Sequence, residues 1–373
     1  MNLQNYIYLD HNATAPLRPQ VMSAMTAAMS LPLNASSLHG LGQYAKKIAA
    51  KARQNLADFI QCSADELIFT SGGTESNNMI LNQDWDHVFV LATEHDSILK
   101  AVSVAQMIPV DDQGIIQLDW LEEALQVLPE KSKTLVCVQY ANNETGVLQP
   151  IEKVVALAHT YNALVHTDAV QCFGKIPLSF KDLGIDFMSI SAHKVGGPQG
   201  VGALIARASL TLESFLKGGG QEKNRRAGTE NIAAIAGFGA LPELIDLKHS
   251  ESLALWHHTL EKSLQEFAPN STVVGSAVKR LPNTTCLVMP NVKNAIQLIH
   301  FDLKGIAVNT GSACSSGTLK PSRVLKAMNL PESVYNNAIR VSSGWNTKQE
   351  DLLKFCEDWK MLFQLHHQQK ESA

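Results

Sequence analysis

The chain has 373 residues, and at roughly 150 residues per domain that length predicts about two domains. Hydrophobic residues make up 45 % and charged residues 18 %, which excludes a disordered chain, and a formal net charge of −4 gives no basic field for nucleic acid. Six scattered cysteines (Cys62, Cys137, Cys172, Cys286, Cys314 and Cys356) contain no CxxC pair and are too sparse for a disulfide scaffold, so a reduced, cytoplasmic chain is expected. The first residues carry no basic stretch followed by an apolar one, so no signal peptide is expected. The most apolar run, 232–241, is about half of what a bilayer requires and stops at Pro242, so no membrane span is expected either.

In chain order, short apolar runs at 67–70, 87–92, 134–139, 164–167, 187–191 and 201–206 read as strands. Helical patterns lie among them at 74–81 and 151–161; the second has apolar residues at 151, 154, 155, 157 and 158. Alternation of this kind predicts an α/β fold with a mostly parallel sheet covered on both faces. Ligands of such sheets bind at the carboxyl ends of strands. After Gly218-Gly219-Gly220 the pattern changes. Residues 231–267 are helix-compatible with a break at Pro242. Strand-like runs at 272–274, 285–289 and 306–309 then alternate with helical patterns at 292–303, 323–328 and 348–365. A second, smaller α+β unit is expected, with a boundary near residue 250.

Four polar constellations follow strand runs. Thr70-Ser71-Gly72-Gly73-Thr74-Glu75-Ser76 joins a strand to a helix start, where glycines and free N–H groups can cradle a phosphate. It is neither a Walker A nor a GxGxxG motif, and an ordinary capped turn has the same outline. Ala192-His193-Lys194 precedes a Gly-rich turn; a lysine there is either a solvated loop residue or an amine activated by burial. Asp168 ends an apolar strand and is either a helix cap or a carboxylate with a cationic partner. Cys314 sits among small residues (Gly311-Ser312-Ala313-Cys314-Ser315-Ser316-Gly317), as an incidental surface thiol or as a nucleophile.

Taken in order, the motifs resemble those of the pyridoxal-phosphate-dependent cysteine desulfurases of the class V aminotransferase group, the NifS and IscS type. They are Tyr8-Leu9-Asp10-His11-Asn12-Ala13-Thr14, Asn34-Ala35-Ser36-Ser37-Leu38-His39, Thr70 through Asn77, Thr93-Glu94-His95 and Asn142-Asn143-Glu144-Thr145-Gly146. They continue with His166-Thr167-Asp168-Ala169-Val170-Gln171, Ser191-Ala192-His193-Lys194, Gly218 through Glu222 with Arg226-Ala227-Gly228-Thr229, Gly311-Ser312-Ala313-Cys314, and Ile339-Arg340. They span residues 8–340, nearly the whole chain.

The resemblance implies a type I pyridoxal-phosphate fold. Its large domain (14–248) would hold a mostly parallel seven-stranded sheet. Residues 1–13 and 249–373 would form a smaller α+β domain carrying the Cys314 loop and Arg340. It implies that Lys194 holds pyridoxal 5′-phosphate through its amine and moves protons, while Asp168 pairs with the ring nitrogen and Gln171 with the phenolic oxygen. His95 would stack on the ring and serve in acid–base chemistry, with Asn143 beside ring and substrate. Thr74, Ser191 and His193 would bind the phosphate with help from the Gly73 backbone, and Thr229 would reach the phosphate of a neighbouring subunit in a homodimer. Arg340 would clamp the carboxylate of L-cysteine. Cys314 would take the substrate sulfur as a persulfide, releasing alanine, and pass it to an acceptor or iron–sulfur scaffold protein. No resident metal is implied, although Cys314 would be placed to contact a nascent iron–sulfur cluster. The 312–322 loop has the length of the IscS-like branch. Ala15, Ala35 and Gly73 depart from the usual threonine, proline and alanine, and only residues 341–373 follow Arg340. Alternatives are a selenocysteine lyase on the same scaffold and, from another class, a non-catalytic partner platform.

Overall fold

A computed structural model describes residues 6–311 and 321–371, with side chains described as far as residue 366. Its strands are β1 (Ile7–Tyr8), β2 (Leu67–Thr70), β3 (His87–Leu91), β4 (Gln106–Ile108), β5 (Thr134–Cys137), β6 (Leu164–Asp168), β7 (Phe187–Ser191) and β8 (Gly202–Ala206), followed by β9 (Thr272–Val273), β10 (Thr284–Val288), β11 (Ile306–Ala307) and β12 (Ala338–Ser342). The central sheet has seven strands in the order β2-β8-β7-β6-β5-β3-β4. All run parallel except β8, which is antiparallel to both of its neighbours. This is the expected mostly parallel α/β sheet.

The inner strands are continuous apolar runs because both of their faces are covered. Every residue of β2, β5, β7 and β8 is buried. The β4 strand was not apparent in the sequence: it has three residues at the sheet edge, and Gln106 and Met107 are exposed. Helices Pro19–Met29, Gly40–Ile60 and Leu118–Gln126 were missed as well. The first two take much of their buried face from alanine and glycine (Ala28, Gly42, Ala45, Ala52, Ala57), so the apolar stripe is faint. Gly239 packs so closely on the second that a Cβ there would lie 2.3 Å from the Ala52 Cβ.

The later elements form a three-stranded antiparallel sheet, β12-β10-β9, and a two-stranded parallel pair, β1-β11. Helices Leu247–Phe267, Asn294–Leu303 and Gln349–Glu371 accompany them. An apolar cluster including Leu264, Leu287, Phe301, Val341, Phe355 and Trp359 lies between these pieces. The N-terminal strand thus pairs with chain from near residue 306. The β12 strand was hidden by Arg340, a charge in the middle of a run buried throughout.

Parallel strands bring their carboxyl ends to one edge. Thr70, Asp168 and Ser191 end β2, β6 and β7 there, and the antiparallel pairing sets Gly202 of β8 opposite both Thr70 and Ser191. The motifs that follow these strands therefore share one rim.

Candidate active site

The rim encloses a chamber of about 280 Å³ lined by Gly73, Thr74, His95, Asn143, Asp168, Gln171, Ser191, His193 and Lys194, with Ser97, Gln139, Ala141 and Val170. Nine expected site residues thus meet in one place. A wider cleft of about 440 Å³ adjoins it through Gly73, Thr74, Ser191 and His193 and adds Thr14, Ser71 and Gln199.

Lys194 follows β7 in a 3-10 turn. Its Nζ donates to the main-chain carbonyls of Asn12 (2.7 Å) and Ala13 (2.8 Å). Burial, with the Arg340 guanidinium second, lowers its pKa to about 8, against the opposing pull of Asp168 and Asp10. A buried amine near neutrality is a reactive one.

Asp168 accepts from Asn77 Nδ2 (2.8 Å) and from the Val170 N–H (3.0 Å), both neutral donors, and so keeps capacity for a cationic partner. Asn77 Nδ2 also donates to Ser97 Oγ (2.9 Å), which lies 2.8 Å from His95 Nδ1. The Ser97 N–H donates to that same nitrogen (3.1 Å), because His95 caps helix Asp96–Leu99. A backbone N–H pointing at Nδ1 makes it an acceptor, so neutral His95 carries its proton on Nε2.

Gly72 takes φ 150°, a backbone shape favouring glycine, and the next residue begins helix Gly73–Leu81. A Cβ on Gly73 would lie 2.7 Å from Val170 Cγ2, so this glycine and Val170 fit as a pair. His193 Nδ1 lies 3.2 Å from Thr14 Oγ1, and burial, then Lys194, lowers its pKa to about 4. It is uncharged at neutral pH and serves as a hydrogen-bonding group.

Two expected residues lie outside the chamber. Thr229 lines a neighbouring cleft with Ser71, Gly200 and Arg226. Arg340 is buried on β12, where its Nη2 pairs with Asp10 Oδ1 (2.5 Å) and its Nη1 donates to the Asn143 carbonyl (3.0 Å), while Nε has no partner among the described residues. Cys314, with 312–320, lies outside the described residues; Gly311 and Ser322 stand on either side of it. Between them the buried Glu144 carboxylate accepts from Ser322 Oγ (2.5 Å). A Cβ on Gly311 would lie 1.8 Å from that carboxylate.

Sequence reasoning assigned no role to Asn12. Its main-chain carbonyl also accepts from Gln171 Nε2 (3.1 Å), and its amide donates to the Asn143 carbonyl (3.2 Å) and to Thr284 Oγ1 (2.9 Å). Only its place in the Tyr8–Thr14 motif pointed to it.

The aminotransferase class-V family model matches residues 7–355. This chain belongs to that family. Among curated relatives of this class-V chain, "Cysteine desulfurase IscS" of Dictyoglomus turgidum is 38 % identical over 94 % of this chain and 92 % of its own. "Cysteine desulfurase" of Cereibacter sphaeroides is 37 % identical over 92 % of both. The solved NifS-like protein from Rickettsia africae superposes with a TM-score of 0.89 at 37 % identity, covering 96 % of this chain and all of that one.

Class-V enzymes of this kind depend on pyridoxal 5′-phosphate, and the donor set fits that group. The chamber offers a buried amine of lowered pKa, a carboxylate with spare acceptor capacity and a glycine-opened helix start for an anion.

Proposed function

We propose that this protein is a cysteine desulfurase that converts L-cysteine to L-alanine and carries the sulfur as a persulfide on Cys314 to an acceptor protein. The observation that supports it most is the meeting of Lys194, Asp168 and His95 around one chamber, in a chain whose relatives bear that name.

Bound pyridoxal phosphate supplies an electron sink for charge developing at the substrate α-carbon. Lys194 would hold the cofactor through its amine and would move a proton at the substrate carbon. Asp168 keeps a proton on the ring nitrogen, and Gln171 donates to the phenolic oxygen. His95, with Nδ1 held by the Ser97 N–H, would stack on the ring and serve in acid–base chemistry through Nε2. Thr74, Ser191, His193 and the Gly73 N–H hold the phosphate, and Thr229 joins them from the second subunit of a homodimer. Asn143 and Arg340 receive the substrate carboxylate, which shares the guanidinium with Asp10.

The Cys314 thiolate attacks the substrate sulfur. An S–S bond forms and the C–S bond breaks; its electron pair stays with the three-carbon fragment, which takes up protons and leaves as alanine. The persulfide then passes to an acceptor, with an iron–sulfur scaffold among the partners. The setting proposed is the cytoplasm, on the reading of the six scattered cysteines as reduced thiols; separately, among the described residues no helix is long and apolar enough to cross a membrane.

Incubation with L-cysteine and a thiol reductant, measuring alanine and sulfide together, tests the reaction. The proposal expects both in equal amounts. Pyruvate in place of alanine, or no sulfide, would overturn it.

A further inference from the structure

Lys175 is buried, 6 % exposed, and has no carboxylate partner among the described residues. Its Nζ donates to Gln171 Oε1 (2.7 Å), one helical turn back in sequence, and to Asn12 Oδ1 (2.8 Å). A lysine without a counterion in such a place is costly, so what it holds in place calls for a reason.

Gln171 lines the chamber beside Asp168 and Lys194. Its amide could be turned either way: one orientation offers N–H to a ligand and the other offers C=O. In the observed orientation Oε1 faces Lys175 Nζ and Nε2 faces the Asn12 carbonyl at 3.1 Å. Turning the amide over would set two oxygens head to head at Asn12 and, with Lys175 as an ammonium, two donors head to head at Lys175. The Nε2 group has one further N–H with no acceptor among the described residues. Asn12, the other partner of Lys175, is also the residue whose carbonyl receives Lys194 Nζ at 2.7 Å.

We infer that Lys175 is a positioning residue: by occupying Gln171 Oε1 it locks the amide with an N–H facing the chamber, so that the cofactor's phenolic oxygen always meets a donor. The inference rests on the pyridoxal-phosphate reading of the chamber. The charged and titratable groups around Lys175 are Lys194, Arg340, Cys172, His11 and His193. Burial and Lys194 disfavour an ammonium there. A neutral amine keeps two N–H donors, matched by Gln171 Oε1 and Asn12 Oδ1, but also carries a lone pair; in that form the Asn12 carbonyl at Gln171 Nε2 holds the amide together with it.

A donor on the phenolic oxygen draws electron density from it and weakens its hold on a neighbouring proton. Loss of the lock therefore raises the pH midpoint at which the visible absorbance of the bound cofactor changes. The test is a double-mutant cycle on holoenzyme, with that midpoint as the readout. Lys175→Met is expected to raise it by roughly one pH unit, the effect of about one hydrogen bond, and Gln171→Leu by a similar amount. In the Gln171→Leu background Lys175→Met is expected to add nothing. An undiminished shift in that background would show a through-space charge effect and overturn the inference, as would an unchanged midpoint in Lys175→Met. If Lys175→Met does not fold, Lys175→Leu, which likewise has no donor, is used in the same cycle and judged by the same additivity. Wild type without a visible band would refute the cofactor reading itself, a separate result.

Discussion

Lys194 sits where burial and the Arg340 guanidinium both disfavour an ammonium, while two main-chain carbonyls favour it. Burial prevails, and the amine is largely free above about pH 8. The rate at which cofactor-free protein takes up pyridoxal phosphate is expected to climb toward about pH 8 and then level off. An ordinary lysine would keep climbing past about pH 10, and that profile would contradict the account. At Gly73 the departure from alanine has a partner in Val170, 2.7 Å from where a Cβ would stand. Gly73→Ala is expected to cost about 1–3 kcal/mol in urea unfolding, and Val170→Ala is expected to recover most of it. Equal costs in both backgrounds would show that the two side chains do not meet.

The strands that hold the site were legible because burial on both faces makes them plain apolar runs, and the residues at their ends were legible as polar breaks in those runs. Element β12 was not, because Arg340 interrupts it; its charge is tolerated only because Asp10 arrives from the far end of the chain. Nothing local in sequence announces a pairing across 330 residues. Lys175 was missed for a related reason: its partners are a side-chain amide and an asparagine, not a carboxylate. Glu144 accepts from Ser322 and lies against Gly311, residues that stand on either side of Cys314 in sequence. Burial raises its pKa, so the folded state holds a proton that the unfolded chain gives up above about pH 4.5. Stability is therefore lost as pH rises from that value through the folded pKa. Glu144→Gln keeps an acceptor for Ser322 and removes the penalty. It is expected to stabilise the protein by about 1 kcal/mol at pH 8 and little at pH 4; equal effects at both would refute the assignment.

At the scale of the whole molecule, one rim of a mostly parallel sheet gathers residues from 73 to 194, and the later sheet adds Arg340 from behind Asn143. Thr229 stays in a neighbouring cleft of the same chain. The account assigns it to the partner subunit's phosphate, so Thr229→Ala is expected to weaken cofactor retention about tenfold in a dimer, measured by dialysis alongside ultracentrifugation. A monomeric wild type that retains cofactor would remove that role. Thr229 could be read only by resemblance, because a contact between subunits leaves no period or spacing in one sequence.

The central claim is that sulfur leaves L-cysteine and rests on Cys314. Mass spectrometry of wild type treated with L-cysteine, without reductant and digested after alkylation, tests it most directly. The account predicts one added sulfur on the Cys314 peptide, absent from Cys314→Ser and from Lys194→Ala. Added sulfur on another cysteine, with the Cys314 peptide unmodified in enzyme that is producing alanine, would contradict it.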